Sequence, residues 1–404
     1  MPVAWNLPRG CRGPKWRQDV LRPLATEALR HVLPRPTAPY AEAHAAAAVR
    51  AWAEARNWRV RADEAGNLLV AVPGRSGFRG RPTIAFEAHL DHPAMVVERV
   101  LPDGRLCAAF YGGHPPERMP GGRVQLFPPA PGSASRPRRT RVLEAGARNR
   151  RSGRIPLLLA AASGPGPAPG WIGAWDFPLR ISARTISNPV CDDLGGVAAI
   201  LAGLDLAARN RPDRPVLGIF TRCEENGFIG CLEAIRLGTV PRQVPVVVLE
   251  CSPRLPHARP GDGPICRVGD RLSVYDPPLI ARLEEAARDL VASSPGFRWQ
   301  RKLMDGGACE ATAWCEGGYR AAGLAVPLTN YHNVPDDRRR RGQAPEQIDR
   351  CDFESLVLWV ATLALGRRPE APAPGHELSG TSGALEQLRR ARSPKLAPPS
   401  GSQS

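Results

Sequence analysis

Five short segments carry the residues with chemical potential in this chain. They are AHLDH (His89, Asp91), NPVCDDLGG (Asp192, Asp193), TRCEENG (Glu224, Glu225), VVLECS (Glu250) and NYHNV (His332). Most follow a short apolar run. Such a run, buried as a strand, delivers its next polar residue to the rim of a sheet, where open α/β folds bind ligands. Two histidines and three carboxylates converging there form a ligand set for two zinc-like cations, because zinc accepts imidazole nitrogen and carboxylate oxygen. Paired cations of this kind serve hydrolysis. In that reading Asp192 bridges the pair, and each ion takes one histidine and one further carboxylate. Glu224 is then the general base that moves a proton from water to the leaving amine.

Taken singly, each signal has a plainer alternative. In an HxD on a strand both side chains point to one face, so Asp91 can accept the second N–H of His89 and fix its tautomer. An isolated HxD is equally a surface pair or a satisfied core histidine. Asp192 precedes a helical run, where an N-cap carboxylate is worth about 1 kcal/mol. Asp193 reads as that cap or as a supporting acid, and Gly195 and Gly196 allow close packing. Glu224 and Glu225 repel each other unless a cation or proton offsets them. They also point in different directions, one toward metal and one toward water; the alternative is a solvated acidic turn. Glu250 ends the apolar VPVVVLE, where an unpaired carboxylate is costly. His332 follows LAVPL in a Tyr/Asn loop and says little alone. The consistent order of the five segments makes the case.

The elements that must position these residues alternate. Residues 18–33 and 40–57 have helical spacing, and NLLVAV (67–72) and TIAFEA (83–88) read as strands. From about 100 to 185 short β-like pieces lie between Pro/Gly-rich or Arg-rich links, which suggests a small all-β module inserted into an α/β domain. Alternation then resumes. LGGVAAILAGLDLAA is a buried helix, VLGIFT (216–221) and residues 244–249 are buried strands, and residues 279–291 and 353–365 are helices. Beyond Gly366 the Pro-, Ser- and Arg-rich chain lacks the apolar area to order itself, so 367–404 is expected to be a disordered tail.

Net charge is +16, which on its face suggests a polyanion partner. Only three lysines occur (Lys15, Lys302, Lys395), and the excess of arginine beside Ala, Pro and Gly reads as coding bias and a solvated surface. Nucleic acid is therefore not the expected partner. The ten cysteines form no CxxC pair, the N-terminus has no apolar leader region, and the longest apolar stretch (356–365) is too short to span a bilayer. A cytoplasmic protein with free thiols is expected. Arg338–Arg341 is read as a solvated loop rather than a grip for acidic substrates. His92, His114 and His257 are given supporting or surface roles, and Trp171 and Trp175 packing or assembly roles.

Over Leu21 to Leu365, apart from 128–170, the chain resembles the co-catalytic zinc aminopeptidases of the deblocking and glutamyl aminopeptidase type, which form tetrahedral oligomers. It is more distantly similar to the acetylornithine deacetylase and succinyl-diaminopimelate desuccinylase group. The pieces that carry the resemblance stand in family order: DEAGNLLVAVPG, TIAFEAHLDHPAMVVE, FYGGHPPERMPGGRVQLF, NPVCDDLGGVAAIL, FTRCEENGFIG, VVVLECS, GDGPICRVGD, MDGGACEATA and AVPLTNYHNV. The resemblance implies a mixed central α/β sheet flanked by helices (the zinc exopeptidase fold) with an inserted small β-barrel-like domain. The catalytic domain would be 1–99 and 186–366, and the insert 100–185. It implies His89, Asp192, Glu225, Glu250 and His332 as ligands of two divalent ions, zinc first and cobalt or manganese as alternatives. Glu224 would be the base, Asp91 would orient His89, and Gly306 and Gly307 would lie in a loop near the site. It departs from the family at Glu250, where Asp is usual, and at Leu194, where a basic or small residue is common. Cys191, Cys223 and Cys251 flank ligand positions as packing residues or, alternatively, as thiols competing for metal. The implied activity is removal of N-terminal residues from peptides by a homo-oligomer. The alternatives are deacylation of N-acyl amino acids on the same fold, or an inactive member acting as a basic binding module.

Overall fold

The apolar runs read from the sequence become the centre of an eleven-stranded mixed sheet. The computed structural model describes residues 17–164, 166–337 and 339–366; the expected tail and Arg338 lie outside them. The helices are α1 (Arg22–Val32), α2 (Ala43–Glu54), α3 (Cys191–Arg209), α4 (Ile229–Leu237), α5 (Pro277–Ser293), α6 (Glu310–Glu316) and α7 (Arg350–Leu365). The first strands are β1 (Arg59–Ala62), β2 (Leu68–Val72), β3 (Ala85–His89), β4 (Ala94–Val100), β5 (Leu106–Tyr111), β6 (Arg123–Phe127), β7 (Arg138–Ala145), β8 (Ile155–Leu159) and β9 (Ile172–Trp175). They continue as β10 (Arg180–Ile181), β11 (Thr185–Asn188), β12 (Val216–Thr221), β13 (Val246–Pro253), β14 (Ile265–Asp270), β15 (Gln300–Met304), β16 (Ala321–Thr329) and β17 (Glu346–Asp349).

The large sheet runs β1-β2-β12-β3-β13-β16-β17-β11-β10, with β14 and β15 attached through β16. Its centre, β12, β3, β13 and β16, is parallel. Every residue of β3 and β12 is buried, as expected of parallel strands covered on both faces, which read as continuous apolar runs. Helix α3 is buried from Cys191 to Ala207 and packs against α1, α7 and β13. A helix apolar on all sides has no other stable place. At the α3–α7 crossing a Cβ on Gly203 would lie 2.5 Å from Val360 Cγ1, so glycine permits the close approach. Helix α5 buries Leu279, Leu283, Ala287 and Leu290 at helical spacing, and Asp276 caps it by accepting from the Leu279 N–H at 2.8 Å.

The inserted stretch closes on itself as a six-stranded barrel, β4-β5-β8-β7-β6-β9. Its core holds Met95, Phe110, Leu126, Leu157, Trp171 and Trp175, so both tryptophans are packing residues. The barrel begins at Ala94, ahead of the expected boundary at 100, because AMVV pairs with both β5 and β9 directly after Pro93. At the other end, β10 and β11 rejoin the large sheet. Among the described residues no helix is long and apolar enough to cross a membrane.

Candidate metal centre

Parallel strands end on a common edge, and the chemistry collects there. His89 closes β3 and pairs with Thr221, the last residue of β12. Just beyond, Glu224–Asn226 form a single 3-10 turn. Glu250 lies in β13 opposite Ala325 of β16. After β16 a second turn, Tyr331–Asn333, carries His332. Asp192 and Asp193 open α3 in non-helical conformations, joined by a cis peptide bond. Asp193 is the cap: its Oδ1 accepts from the Gly196 N–H at 3.0 Å. Asp192 is thus left free to face the strand ends.

The five ligand candidates converge. His89, Asp192 and Glu250 each bring one ligand atom within 4.8 Å of the others; Asp192, Glu225 and His332 do the same, and Asp192 is common to both groups. His89 Nε2 lies 3.4 Å from Asp192 Oδ1, and His332 Nε2 lies 3.4 Å from Asp192 Oδ2. Each imidazole therefore addresses its own oxygen of the shared carboxylate. His332 Nε2 is also 3.1 Å from Glu225 Oε1. Glu224 lines the cleft with its Oε2 3.9 Å from His89 Nε2, and one of its oxygens also groups with His89 and Glu225 within 4.8 Å.

Asp91 stands beyond the end of β3, not on the strand as the HxD reading supposes. The acceptor nearest His89 Nδ1 is the main-chain carbonyl of Asp91 at 3.1 Å, with the carboxylate at 3.5 Å. The carboxylate instead accepts from the Glu224 and Glu225 N–H groups at 2.9 and 3.1 Å. Asp91 therefore ties the histidine end of β3 to the glutamate turn. Glu346 was not read from the sequence. It is fully buried on β17, where Oε1 accepts from the His332 N–H and Oε2 from the Asp192 N–H, both at 2.9 Å. His92 has a supporting place: its Nδ1 bonds the Asp192 carbonyl and its Nε2 lies 3.1 Å from Asn333 Oδ1. Gly113, from the barrel, accepts from His332 Nδ1 at 2.7 Å.

These donors fit a pair of divalent cations. Both Nδ1 atoms face main-chain carbonyls and must donate, which leaves each Nε2 as a lone pair aimed at carboxylate oxygen. Asp192 Oδ1, Glu225 Oε1 and His332 Nε2 are buried without a hydrogen-bond partner. Lone pairs gathered in this way are costly unless a positive charge lies among them, and a set of imidazole nitrogen and carboxylate oxygen suits zinc. In the protein alone that charge falls to the imidazoles. Burial opposes it, yet Glu224, Asp192 and Asp91 hold the His89 pKa well above its usual value. His332 behaves alike, with Glu225 and Asp192 prevailing over burial. Burial and the Asp192 charge push Glu250 up to about 8. Burial also raises Glu224, against the pull of His89. Asp192 moves the other way: burial opposes, but His332 and His89 hold it below the usual carboxylate range.

A cleft of about 40 Å³ lies over the site. His89, Asp192, Glu224 and Glu250 line it together with Arg267, Met304, Gly306, Gly307 and Tyr331, so the glycine pair borders the site. Arg267 is buried and donates to Ser252 Oγ at 3.1 Å. Glu250, Cys309 and Glu310 form a further close group, and both Glu310 oxygens are buried without a hydrogen bond. Neither Cys309 nor Glu310 carries a signal of its own in the sequence, since an acid opening a helix is an ordinary pattern. Cys191, Cys223 and Cys251 are buried and belong to none of the candidate cation groups among the described residues. Cys223 donates to Glu42 Oε1 at 3.1 Å, and Cys251 packs against Gly195. Arg339–Arg341 are exposed, and His257 lies on the surface. His114 is packed in the barrel between Phe110 and Trp175.

A mixed α/β sheet with ligand atoms at its carboxyl edge and a closed barrel attached defines the fold class, and comparison with solved structures gives the same result. The Pyrococcus horikoshii TET1 peptidase, described as assembling into a tetrahedron or a large octahedral shell, matches with a TM-score of 0.66 and 18% identity, covering 84% of this chain and 99% of that one. Aminopeptidase APDkam598 from Desulfurococcus kamchatkensis matches at 0.67 and 17%, covering 87% and 96%. The TET aminopeptidase from Thaumarchaeota archaeon SCGC AB-539-E09 matches at 0.67 and 16%, covering 89% and 98%. At these identities the likeness is one of fold. In sequence, residues 166–336 match the family model of the M42 glutamyl aminopeptidases. No curated protein sequence matches the chain.

Proposed function

We propose that this chain is a metal-dependent peptidase of the M42 glutamyl aminopeptidase kind that removes N-terminal residues from peptides. The observation that carries the reading is the pair of ligand triads sharing Asp192, with the Glu224 carboxylate beside them at the cleft. The match of residues 166–336 to that family model supports it. His89, Asp192 and Glu250 would hold one divalent ion, and Asp192, Glu225 and His332 the other, with zinc favoured by the donor set. When bound, such a pair lowers the pKa of water and offsets negative charge on the scissile carbonyl oxygen. Glu224 takes the proton of the attacking water at its carboxylate and returns it to the leaving amine.

In this reading the large-sheet part, residues 17–93 and 180–366, is catalytic, and the barrel, Ala94 to Trp175, is an insert that borders it. Solved structures of this fold are described as dodecamers and tetrahedra, and a homo-oligomer is proposed here too. The nine described cysteines are all free, which fits a reducing cytoplasm.

The test uses the full chain reconstituted with zinc or cobalt. Aminoacyl chromogenic amides should be cleaved and N-acetyl or N-succinyl amino acids left intact. Chelation should abolish cleavage, and Glu224→Ala should lose about 10²-fold or more in kcat while keeping both ions. Preferential cleavage of the N-acyl substrates would replace the peptidase by a deacylase. Folded protein that takes up no cation at micromolar zinc would overturn the proposal.

A further inference from the structure

We propose that the barrel supplies part of the metal centre: the Gly113 carbonyl seats the His332 imidazole, and Arg148 braces the segment that presents it. The inference rests on the two-cation reading above and assigns Gly113 and Arg148 as positioning residues.

His332 stands on a left-handed turn. Its residue has φ +53°, between Asn330 at +57° and Asn333 at +62°, a left-handed conformation that side chains other than glycine rarely adopt. Such a turn holds its shape only where its surroundings fix it. Glu346 grips the backbone N–H. Tyr331 stacks on the ring with centroids 3.7 Å apart, but stacking leaves rotation within the ring plane undetermined. The 2.7 Å bond from Nδ1 to Gly113 O supplies that missing constraint. It also selects the tautomer. With the proton on Nδ1, Nε2 presents its lone pair toward Glu225 and Asp192.

The approach is possible because residue 113 is glycine. A Cβ there would lie 2.6 Å from His332 Nδ1 and 3.0 Å from Cε1. The guanidinium of Arg148 brackets this point. Its Nη2 donates to Gly112 O at 2.7 Å and to His114 O at 3.1 Å, on either side of Gly113, and its Nη1 donates to Gly153 O at 2.9 Å. With both neighbouring carbonyls held, that of Gly113 is left for the histidine. The same barrel hairpin meets the glutamate turn: a Cβ on Gly153 would come 2.4 Å from Oδ1 of Asn226, the residue after Glu225. The barrel thus abuts both turns that carry Glu225 and His332. His89 and Glu250 stand on strands of the large sheet.

The consequence is selective. Weakening the barrel contact should loosen the Asp192–Glu225–His332 site and spare the His89–Asp192–Glu250 site. Partners that orient a ligating histidine typically contribute about 10–100-fold to metal affinity. The experiment is a cobalt(II) titration of the metal-free full chain, read by visible absorption and calorimetry, for the wild type, Arg148→Ala, Arg148→Lys and Gly113→Ala. His332→Ala supplies the reference spectrum of a protein with that site disabled. In Arg148→Ala one dissociation constant should rise about 10–100-fold and the other stay within error. At one equivalent the spectrum should match that of His332→Ala. Arg148→Lys should fall between. If Arg148→Ala melts before titration, Gly113→Ala, which keeps the brace, carries the test. Two unchanged dissociation constants in both Arg148→Ala and Gly113→Ala would overturn the inference and leave the proposed function intact. Equal weakening of both sites would also overturn it, since that is the result of a merely structural role. A wild-type protein that binds no second cation would end both readings.

Discussion

Asp91→Asn separates two accounts of this site. The Asp91 carboxylate is fully buried and accepts the N–H groups of Glu224 and Glu225 at 2.9 and 3.1 Å. Asparagine keeps the shape and one acceptor but turns an NH₂ toward the other N–H. A hydrogen bond to a charged acceptor is worth about 1.5–3 kcal/mol, and a buried donor left unpaired costs about 1–3 kcal/mol. The turn must either absorb roughly 2–4 kcal/mol of destabilisation or move, and movement carries the Glu224 carboxylate with it. A displaced base forfeits much of the 10²–10⁴-fold that general base catalysis contributes, so kcat should fall by about 10²-fold with KM little changed. His89 keeps the Asp91 main-chain carbonyl at 3.1 Å, so cobalt affinity at the His89 site should hold. The assays are kcat and KM on an aminoacyl chromogenic amide, a cobalt titration, and urea denaturation. A tenfold or greater loss of cation affinity at the His89 site, with activity restored by excess metal, would refute the reasoning, because Asp91 would then be acting through the imidazole.

Glu346→Gln should lower stability by about 2–3 kcal/mol in urea and weaken uptake of both cations, because Glu346 holds the backbones of Asp192 and His332; a wild-type midpoint would refute this. His114, buried between Phe110 and Trp175, has its pKa lowered to about 4, chiefly by burial. The folded chain therefore resists protonation there, and the stability it contributes above pH 6.5 is lost as pH falls toward 4, by about 1.4 kcal/mol per unit. In His114→Phe the slope of stability against pH over that window should flatten by this amount. Removal of bound cations should lower Tm, since ions that bind only the folded chain add about 2.7 kcal/mol each at a hundred times their dissociation constant; a Tm unmoved by chelator would count against the site.

What was legible in the sequence has a physical pattern. His89, Glu224, Glu225 and Glu250 each follow or interrupt an apolar run, and a parallel strand advertises itself by such a run. Asp192 opens a helix apolar on every side. Chemical type and topological position could therefore be read together. The residues that hold these in place could not. Glu346 sits on the four-residue β17, whose alternating burial has no apolar run to mark it. One of its partners, Asp192, lies 154 residues away in the chain. Gly113 contributes only a carbonyl, which every residue has, and only its distance to His332 gives it meaning. Strands β14 and β15 went unread because ICRVGD and QRKLM mix charge with apolar residues. The sequence places Asp91 two residues from His89, but its carboxylate serves a turn that only the folded sheet brings to it.

The two halves of the site are held by different means. His89 and Glu250 stand on strands whose backbones are bonded into the centre of the sheet, so their positions follow from the fold. Glu225 and His332 stand on single turns, entered through left-handed residues at Cys223 and Asn330, and a lone turn has little stiffness of its own. Each is held by buried acceptors brought from elsewhere: Asp91 for the glutamate turn, Glu346 and Gly113 for the histidine. Asp192 belongs to both halves, and Glu346 and His92 fix its backbone from two sides. The centre is therefore a rigid strand-borne half coupled through one carboxylate to a turn-borne half. That second half borrows its rigidity from β17 and from the barrel, which makes the barrel a constituent of the site as well as its neighbour.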